Sequence, residues 1–573
     1  MHDRTASDVP TTNRPWPRVV RWCVMALFLG WATGCASLPA NSNRTASSAF
    51  AHPEQTALGQ LAQARRAEAG TRSDSGFFLM QSVDDALASR LTLIDQAQRS
   101  VDLQYYAIHA DASTEVILQH LRDAARRGVH VRVLLDDFNT VGEDAQVLRL
   151  AFEPNVEMRL FNPLPGSRDN MVGRLVTSLS DMERLQKRMH NKLFVADAAW
   201  GITGGRNLGD TYFGTGDKQN FVDIDVLAAG RIVRDMETSF DHFWNDPLAY
   251  PVQTLLTPEQ IDNLRKPEPV GKPKPGEVQE VKATLPVTVS PTVLPGVTPS
   301  EARQAEKPPV DLRAIPLVWA PSVLLSDQPG KVAPGDDEVN AGETVVDGLL
   351  NLMQGAQRDV LIVSPYFVPG ARMMGVYESL RKRGVRIRVL TNSLASNDAP
   401  AAHAGYARYR EALLAMGVEV YEMRSDPATA AELIGSSGSG GSSNGHGAGG
   451  WLGSAAGGSK GGTRSRASLH SKMVVIDGHL TVIGSMNLDL RSQLKNSEVG
   501  LLVRSIALAQ QATQQVETTF NTAAYRLQRK DGHFFWQAPA NASFGSETGE
   551  PGASTKQKMM VKLIGPFSPD QML

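Results

Sequence analysis

The chain has 573 residues, too many for one typical core, so two or more folded units are expected. Its 58 basic and 60 acidic side chains nearly cancel, so nothing global advertises a polyanionic partner, and no nucleic acid is expected to bind. Only Cys23 and Cys35 are present, both within the first 35 residues, which excludes a disulfide or cysteine metal site from the rest of the chain.

At the N-terminus, Arg14, Arg18 and Arg21 precede an apolar run over 22–32, and Thr33-Gly34-Cys35 follows. That order of charge, apolar run and small residues is a secretory signal, too short for a membrane span of about 20 residues. Ala32-Thr33-Gly34-Cys35 resembles a bacterial lipobox, with Ala where Leu is commoner. Residues 1–35 therefore read as a signal peptide with a lipobox-like end, and Cys35 as a lipid anchor; an ordinary cleaved signal or uncleaved anchor is the alternative. Lipidation there would hold the protein in the bacterial cell envelope, membrane-anchored with its catalytic part facing the periplasm.

Residues 36–76 are polar and rich in small side chains, which predicts a tether. Ser82 with Asp85 forms a helix-start signature, Val83, Leu87, Leu91 and Ile94 keep helical spacing, and 101–106 reads as a strand. A helix over about 113–127, closed by Gly128, and a strand over 129–135 complete a β-α-β unit. The unit recurs. Residues 97–101 (AQRSV) match 356–360 (AQRDV), and 127–134 (RGVHVRVL) match 383–390 (RGVRIRVL). The chain is thus expected to be α/β, with two similar halves over 77–250 and 313–536, each a mixed, mostly parallel sheet flanked by helices. The Pro-rich stretch 251–312 is expected to join them without folding, 435–465 to be a flexible Gly/Ser insertion, and 537–573 to be a tail.

Beyond each unit lies the same short pattern. His190, Lys192 and Asp197 form H-x-K-x-x-x-x-D, as do His470, Lys472 and Asp477, and Asn207 and Asn487 each follow the histidine by 17 positions. Histidine and lysine two apart on a strand share a face, so one face presents an imidazole beside an ammonium. The glycines before each asparagine would let backbone approach a ligand and bring an amide to it. Two facing halves would gather two His, two Lys and two Asn around one centre at a pseudo-twofold interface. Such an array suits a phosphodiester: cations and amides hold non-bridging oxygens, one imidazole attacks phosphorus, and the other protonates the leaving alcohol. No metal or other cofactor is needed, because the lysines supply the charge.

A nucleophilic imidazole needs a carboxylate to fix its tautomer. Aligning 221–227 with 496–502 pairs Asp223 with Glu498, each downstream of the histidine of its own half, and makes them the expected orienters, with Asp225 the fallback. Asp197 and Asp477, five residues past lysine, suit a structural ion pair as well as a place in the catalytic set. Tyr105, Tyr106, Tyr366 and Phe367 end strands where α/β sheets present ligands, either to pack or to touch a lipid.

The paired H-x-K-x-x-x-x-D motifs resemble those of the phospholipase D superfamily. The surrounding strings VDLQYYAIHADAS, MHNKLFVADAAWGITGGRNLGDTYFG and SPYFVPG resemble bacterial cardiolipin synthases, especially the C type, over roughly residues 77–535. The resemblance implies transfer of a phosphatidyl group onto phosphatidylglycerol through a phosphohistidine, with His190 the nucleophile and His470 the general acid and base. It implies phospholipid substrates and a membrane surface as partners, and leaves an accessory protein unspecified. A phospholipase D hydrolase would use the same residues; a nucleic-acid phosphodiesterase or a non-catalytic lipoprotein fits the neutral charge or the intact motifs less well.

Overall fold

The computed structural model describes residues 38–166, 168–169, 171–178, 181–266, 294–333, 343–426, 465–540 and 542–565. Cys35, the signal-like start and nearly all of the Gly/Ser insertion lie outside these. Each half is built on a nine-stranded sheet flanked by helices. The first runs Val318–Trp319, Ser75–Met80, Asp225–Gly230, Trp200–Gly204, Leu193–Ala196, Ser100–Tyr105, His130–Asp136, Val156–Phe161, Ala249–Pro251. The second runs Ser322–Ser326, Val499–Arg504, Leu480–Gly484, Met473–Ile476, Asp359–Val363, Arg386–Asn392, Glu419–Met423, Ala524–Lys530, His533–Gln537. Eight strands correspond in order from Ser75–Met80 and Ser322–Ser326 onward, and the ninth is an added edge strand, Val318–Trp319 in the first sheet and His533–Gln537 in the second.

The β-α-β unit forms as its sequence dictates. Ser82 Oγ accepts from Asp85 N–H to start the helix Val83–Gln96, and Asp111 caps Ala112–Arg126 by accepting from Thr114 N–H. The sheets are mixed, but the expected parallel majority is corrected. Within each nine-stranded sheet only the three strands joined by helical crossovers pair in parallel, giving two parallel pairings per sheet, at Ser100–Tyr105, His130–Asp136, Val156–Phe161 and at their repeats. The strand after each H-x-K turns back through a short hairpin, which enforces antiparallel pairing, and the following sheet strand returns antiparallel after a longer connection.

Three boundaries also differ from the sequence reading. Within the supposed tether, Thr56 caps a helix, Ala57–Glu68, that buries Leu58 and Ala62, and Trp200 Nε1–H donates to the Leu58 carbonyl at 3.0 Å. The supposed linker contributes capped helices Pro258–Arg265 and Pro299–Ala305, whose Leu264 and Ala305 join the first half's core. The supposed tail starts on the edge strand His533–Gln537 and carries a helix, Thr555–Ile564. These helices bury at most two apolar side chains each, and Thr555–Ile564 none, too few to stand out against the polar composition of their segments.

The halves share a core. One apolar cluster includes Val195, Val226 and Phe240 from the first and Val475, Leu501 and Phe520 from the second. Across this interface Gln219–Val222 pairs in parallel with Arg466–Leu469, and Met189 bridges to Ser497, so backbone hydrogen bonds fix the motif segments against one another. No helix among the described residues is long and apolar enough to cross a membrane.

Candidate active site

His190 and His470 stand just before their sheet strands, on extended segments rather than on the strands themselves. Each segment is stitched to the opposite half. His190 N–H donates to the Ser497 carbonyl at 3.0 Å, and His470 N–H donates to that of Val222 at 2.9 Å. The strand-end residues Asp136 and Asn392 brace them from within each half. Asp136 accepts from Met189 N–H at 2.8 Å, and the Asn392 amide both accepts from Leu469 N–H and donates to its carbonyl, each at 2.9 Å.

The carboxylates Glu498 and Asp223 each face the imidazole of the other half. His190 Nδ1 faces Glu498 Oε2 at 3.0 Å, and His470 Nδ1 faces Asp223 Oδ2 at 2.6 Å. Burial raises both carboxyl groups, yet the facing histidines and nearby lysines overcome it and hold them below the usual carboxylate range. Ionised carboxylates only accept, so each imidazole carries its proton on Nδ1 and leaves the Nε2 lone pair free. Burial, followed by the lysine charges, pushes His190 down to about 4 and His470 to about 3, so both imidazoles are neutral near pH 7. Burial, then the charge of Lys472, pulls Lys192 down to about 7; burial pulls Lys472 to about 8. The two Nζ groups donate to the His190 and His470 carbonyls, which fixes each ammonium beside its imidazole.

The carboxylates themselves are held unequally. Ser485 Oγ donates to Glu498 Oε2 at 2.5 Å. At the equivalent place stands Gly205, where a Cβ would lie 2.3 Å from Asp223 Oδ1. The glycine expected to admit a ligand instead makes room for Asp223. Asp225 orients no histidine; it accepts from Arg90 at 2.8 Å.

Asp197 and Asp477 are likewise corrected from the catalytic set. They sit at the far ends of Leu193–Ala196 and Met473–Ile476. Asp197 accepts from the N–H groups of Gln98, Arg99 and Ser100, and Asp477 from those of Gln357, Arg358 and Asp359. They lock the start of the neighbouring strand rather than pairing with the motif lysines. Asn207 Nδ2 donates to the Tyr212 hydroxyl at 2.9 Å and its Oδ1 accepts from Ala107 N–H, whereas Asn487 Oδ1 is buried without a hydrogen-bond partner among the described residues.

Comparison with known proteins gives the family. The profile described as "Cardiolipin synthase, PLD-like domain" matches residues 91–244, 349–444 and 455–521. The chain belongs to this family. It is 35% identical to "Cardiolipin synthase C" of Escherichia coli (strain K12) over 460 residues, covering 79% of this chain and 86% of that protein. It is 30% identical to an uncharacterized protein of Helicobacter pylori (strain ATCC 700392 / 26695) over 475 residues, 82% of this chain and 84% of that one. Its fold is similar to the crystal structure of phosphatidylserine synthase from Haemophilus influenzae Rd KW20, with TM-score 0.51, 15% identity, and coverage of 89% of this chain and 100% of that one.

As a cardiolipin synthase-like member of the phospholipase D superfamily, the chain surrounds its imidazoles with aromatic rings. Tyr106 meets the His190 ring edge-on at 5.2 Å, and Tyr212 and Phe221 meet His470 at 5.3 and 4.8 Å. Tyr366 donates to Asp398, whose charge reaches Lys472. Tyr105 and Phe367 instead fill the core, so of the four strand-end aromatics only Tyr106 and Tyr366 border the site. Tyr212 escaped the sequence reading because its counterpart by repeat spacing is Ser492, which offers no ring to match.

Proposed function

We propose that the chain transfers a phosphatidyl group from a phospholipid donor onto phosphatidylglycerol, making cardiolipin through a phosphohistidine. The observation that carries this reading is the pair of imidazoles, each held at Nδ1 by a carboxylate of the opposite half, beside two buried lysines. Lys192 and Lys472, with Asn207 and Asn487, hold the phosphodiester's non-bridging oxygens. The lone pair on His190 Nε2 attacks phosphorus. The bond to the donor's headgroup oxygen breaks as His470 Nε2–H gives that oxygen its proton. The arriving phosphodiester anion offsets the lysine charges and raises His470 enough to carry this proton. A phosphatidylglycerol hydroxyl then gives its proton back to His470 and attacks phosphorus, the N–P bond breaks, and cardiolipin leaves.

Water could take the acceptor's place, so exclusion decides between synthase and hydrolase. The buried histidines and their ring of Tyr106, Tyr212 and Phe221 favour the synthase. Purified protein in vesicles of labelled phosphatidylglycerol, with chelator present, is expected to form cardiolipin in excess over phosphatidic acid. Mostly phosphatidic acid would make it a hydrolase, and dependence on a divalent metal would overturn the role given to the lysines.

Cys35 we assign as a lipid anchor that holds the catalytic body against an envelope membrane, facing the periplasm. Fatty-acid labelling is expected on the wild type and not on Cys35→Ser; equal labelling of both contradicts the assignment.

A further inference from the structure

Seven large apolar side chains are exposed among the described residues, and four of them form two patches, Val172 and Leu175 on the helix Met171–Thr177 of the first half and Met559 and Leu563 on the helix Thr555–Ile564 of the second. Each patch connects to the catalytic site through a short chain of side chains. In the first half, the helix Met171–Thr177 hangs on Arg174, which donates to Asp137 and to the Thr140 carbonyl. Between these lies Phe138, stacked on Tyr106, the ring that meets His190. In the second half, the helix Thr555–Ile564 packs on Pro400–Ala407. Gln557 donates to the Leu394 carbonyl and Arg408 to that of Gly565. The same segment carries Asp398, bonded to Tyr366 and acting on Lys472.

The terminal helix is sided. Gln557, Met560, Val561 and Ile564 are half-buried toward the body, whereas Met559 (64% exposed) and Leu563 (71%) point outward. At 100° per residue, Lys556 flanks this pair on one side and Lys558 and Lys562 on the other. No acidic residue occurs over 555–564, and no ion pair engages these lysines among the described residues. Two apolar side chains rimmed by unpaired ammonium groups match the acyl boundary and headgroup layer of an anionic bilayer. The geometry points to these two patches as a docking face that sets the site mouth on a membrane surface containing anionic phospholipid, so that lipid reaches His190 and His470 laterally. This rests on the phosphatidyltransfer reading for its purpose, but not for its test. By contrast Ile506, also exposed, sits beyond Arg504, at the end of the strand Val499–Arg504 that leads away from Glu498.

The full chain carrying Cys23→Ser and Cys35→Ser accepts a single polarity-sensitive thiol label at Val172→Cys, Met559→Cys, Leu563→Cys or Ile506→Cys. On vesicles mixing phosphatidylglycerol with phosphatidylcholine, labels at 172, 559 and 563 are expected to shift to the blue and brighten about twofold or more. High salt or pure phosphatidylcholine weakens the response, and the label at 506 stays unchanged. Silence at 172 and 559, or an equal response at 506, overturns the docking face. Met559→Glu with Leu563→Glu should slow turnover of vesicular phosphatidylglycerol about tenfold and leave turnover of a short-chain, monomeric analogue unchanged; equal rates on both for variant and wild type overturn it as well. A wild type that converts neither substrate would refute the transferase reading, while the label shifts still decide the docking face.

Discussion

His190→Ala and His470→Ala are each expected to lose about four or more orders of magnitude in turnover, and the double variant little more than either alone. In the proposed mechanism the two imidazoles act on one phosphorus in consecutive steps: without His190 no covalent intermediate forms, and without His470 neither the departing nor the arriving oxygen has a proton partner. Residues that work as a unit are non-additive for this reason. Cardiolipin and phosphatidic acid should vanish together, since both leave the same intermediate. Their formation by liposome assay, with a thermal melt of each variant to show that it folds, checks the claim. A single variant keeping a tenth of wild-type turnover would mean that the retained histidine suffices.

Glu498→Gln and Asp223→Asn are expected to cost about two to four orders of magnitude, because a neutral amide neither steadies an imidazolium nor fixes the Nδ1–H tautomer. The crossing of the halves gives this effect an unusual address. A change at Glu498 disables His190, 308 residues away in sequence, while His470, in the same half as Glu498, keeps its partner Asp223. Asp197→Asn provides the contrast. It weakens backbone hydrogen bonds that are charge-assisted, at about 1.5–3 kcal/mol of stability, and leaves turnover of the folded protein near normal. Near-normal turnover in both Glu498→Gln and Asp223→Asn would remove the orienting role.

Much of the site was legible because the chain states it twice. The repeated H-x-K with its following carboxylate and asparagine marks the same strand ends in both sheets, and repetition separates chemistry from coincidence. The residue alignment also found Asp223 and Glu498, since equivalent strands start at equivalent places. Their partners were not legible. Which half a carboxylate faces depends on how Gln219–Val222 lies beside Arg466–Leu469, a long-range pairing that leaves no local trace. The roles of Asp197 and Asp477 were hidden for the same reason, because three backbone N–H groups from a preceding strand have no side-chain signature. The glycines were misread by default. Gly205 could serve a ligand or a neighbour, and only the position of Asp223 decides. Short amphipathic pieces such as Ala57–Glu68 and Pro299–Ala305 bury too little apolar surface to rise above their polar surroundings, so their packing onto the first half was read as tether and linker.

The stereochemical course at phosphorus tests the covalent mechanism most directly. Each in-line displacement inverts phosphorus, so attack by His190 followed by attack of the acceptor hydroxyl returns the original configuration. A phosphatidylglycerol made chiral at phosphorus with sulfur or heavy oxygen, converted by the wild-type protein, is expected to yield product with retention. Inversion would mean a single direct transfer between lipids and would contradict the phosphohistidine.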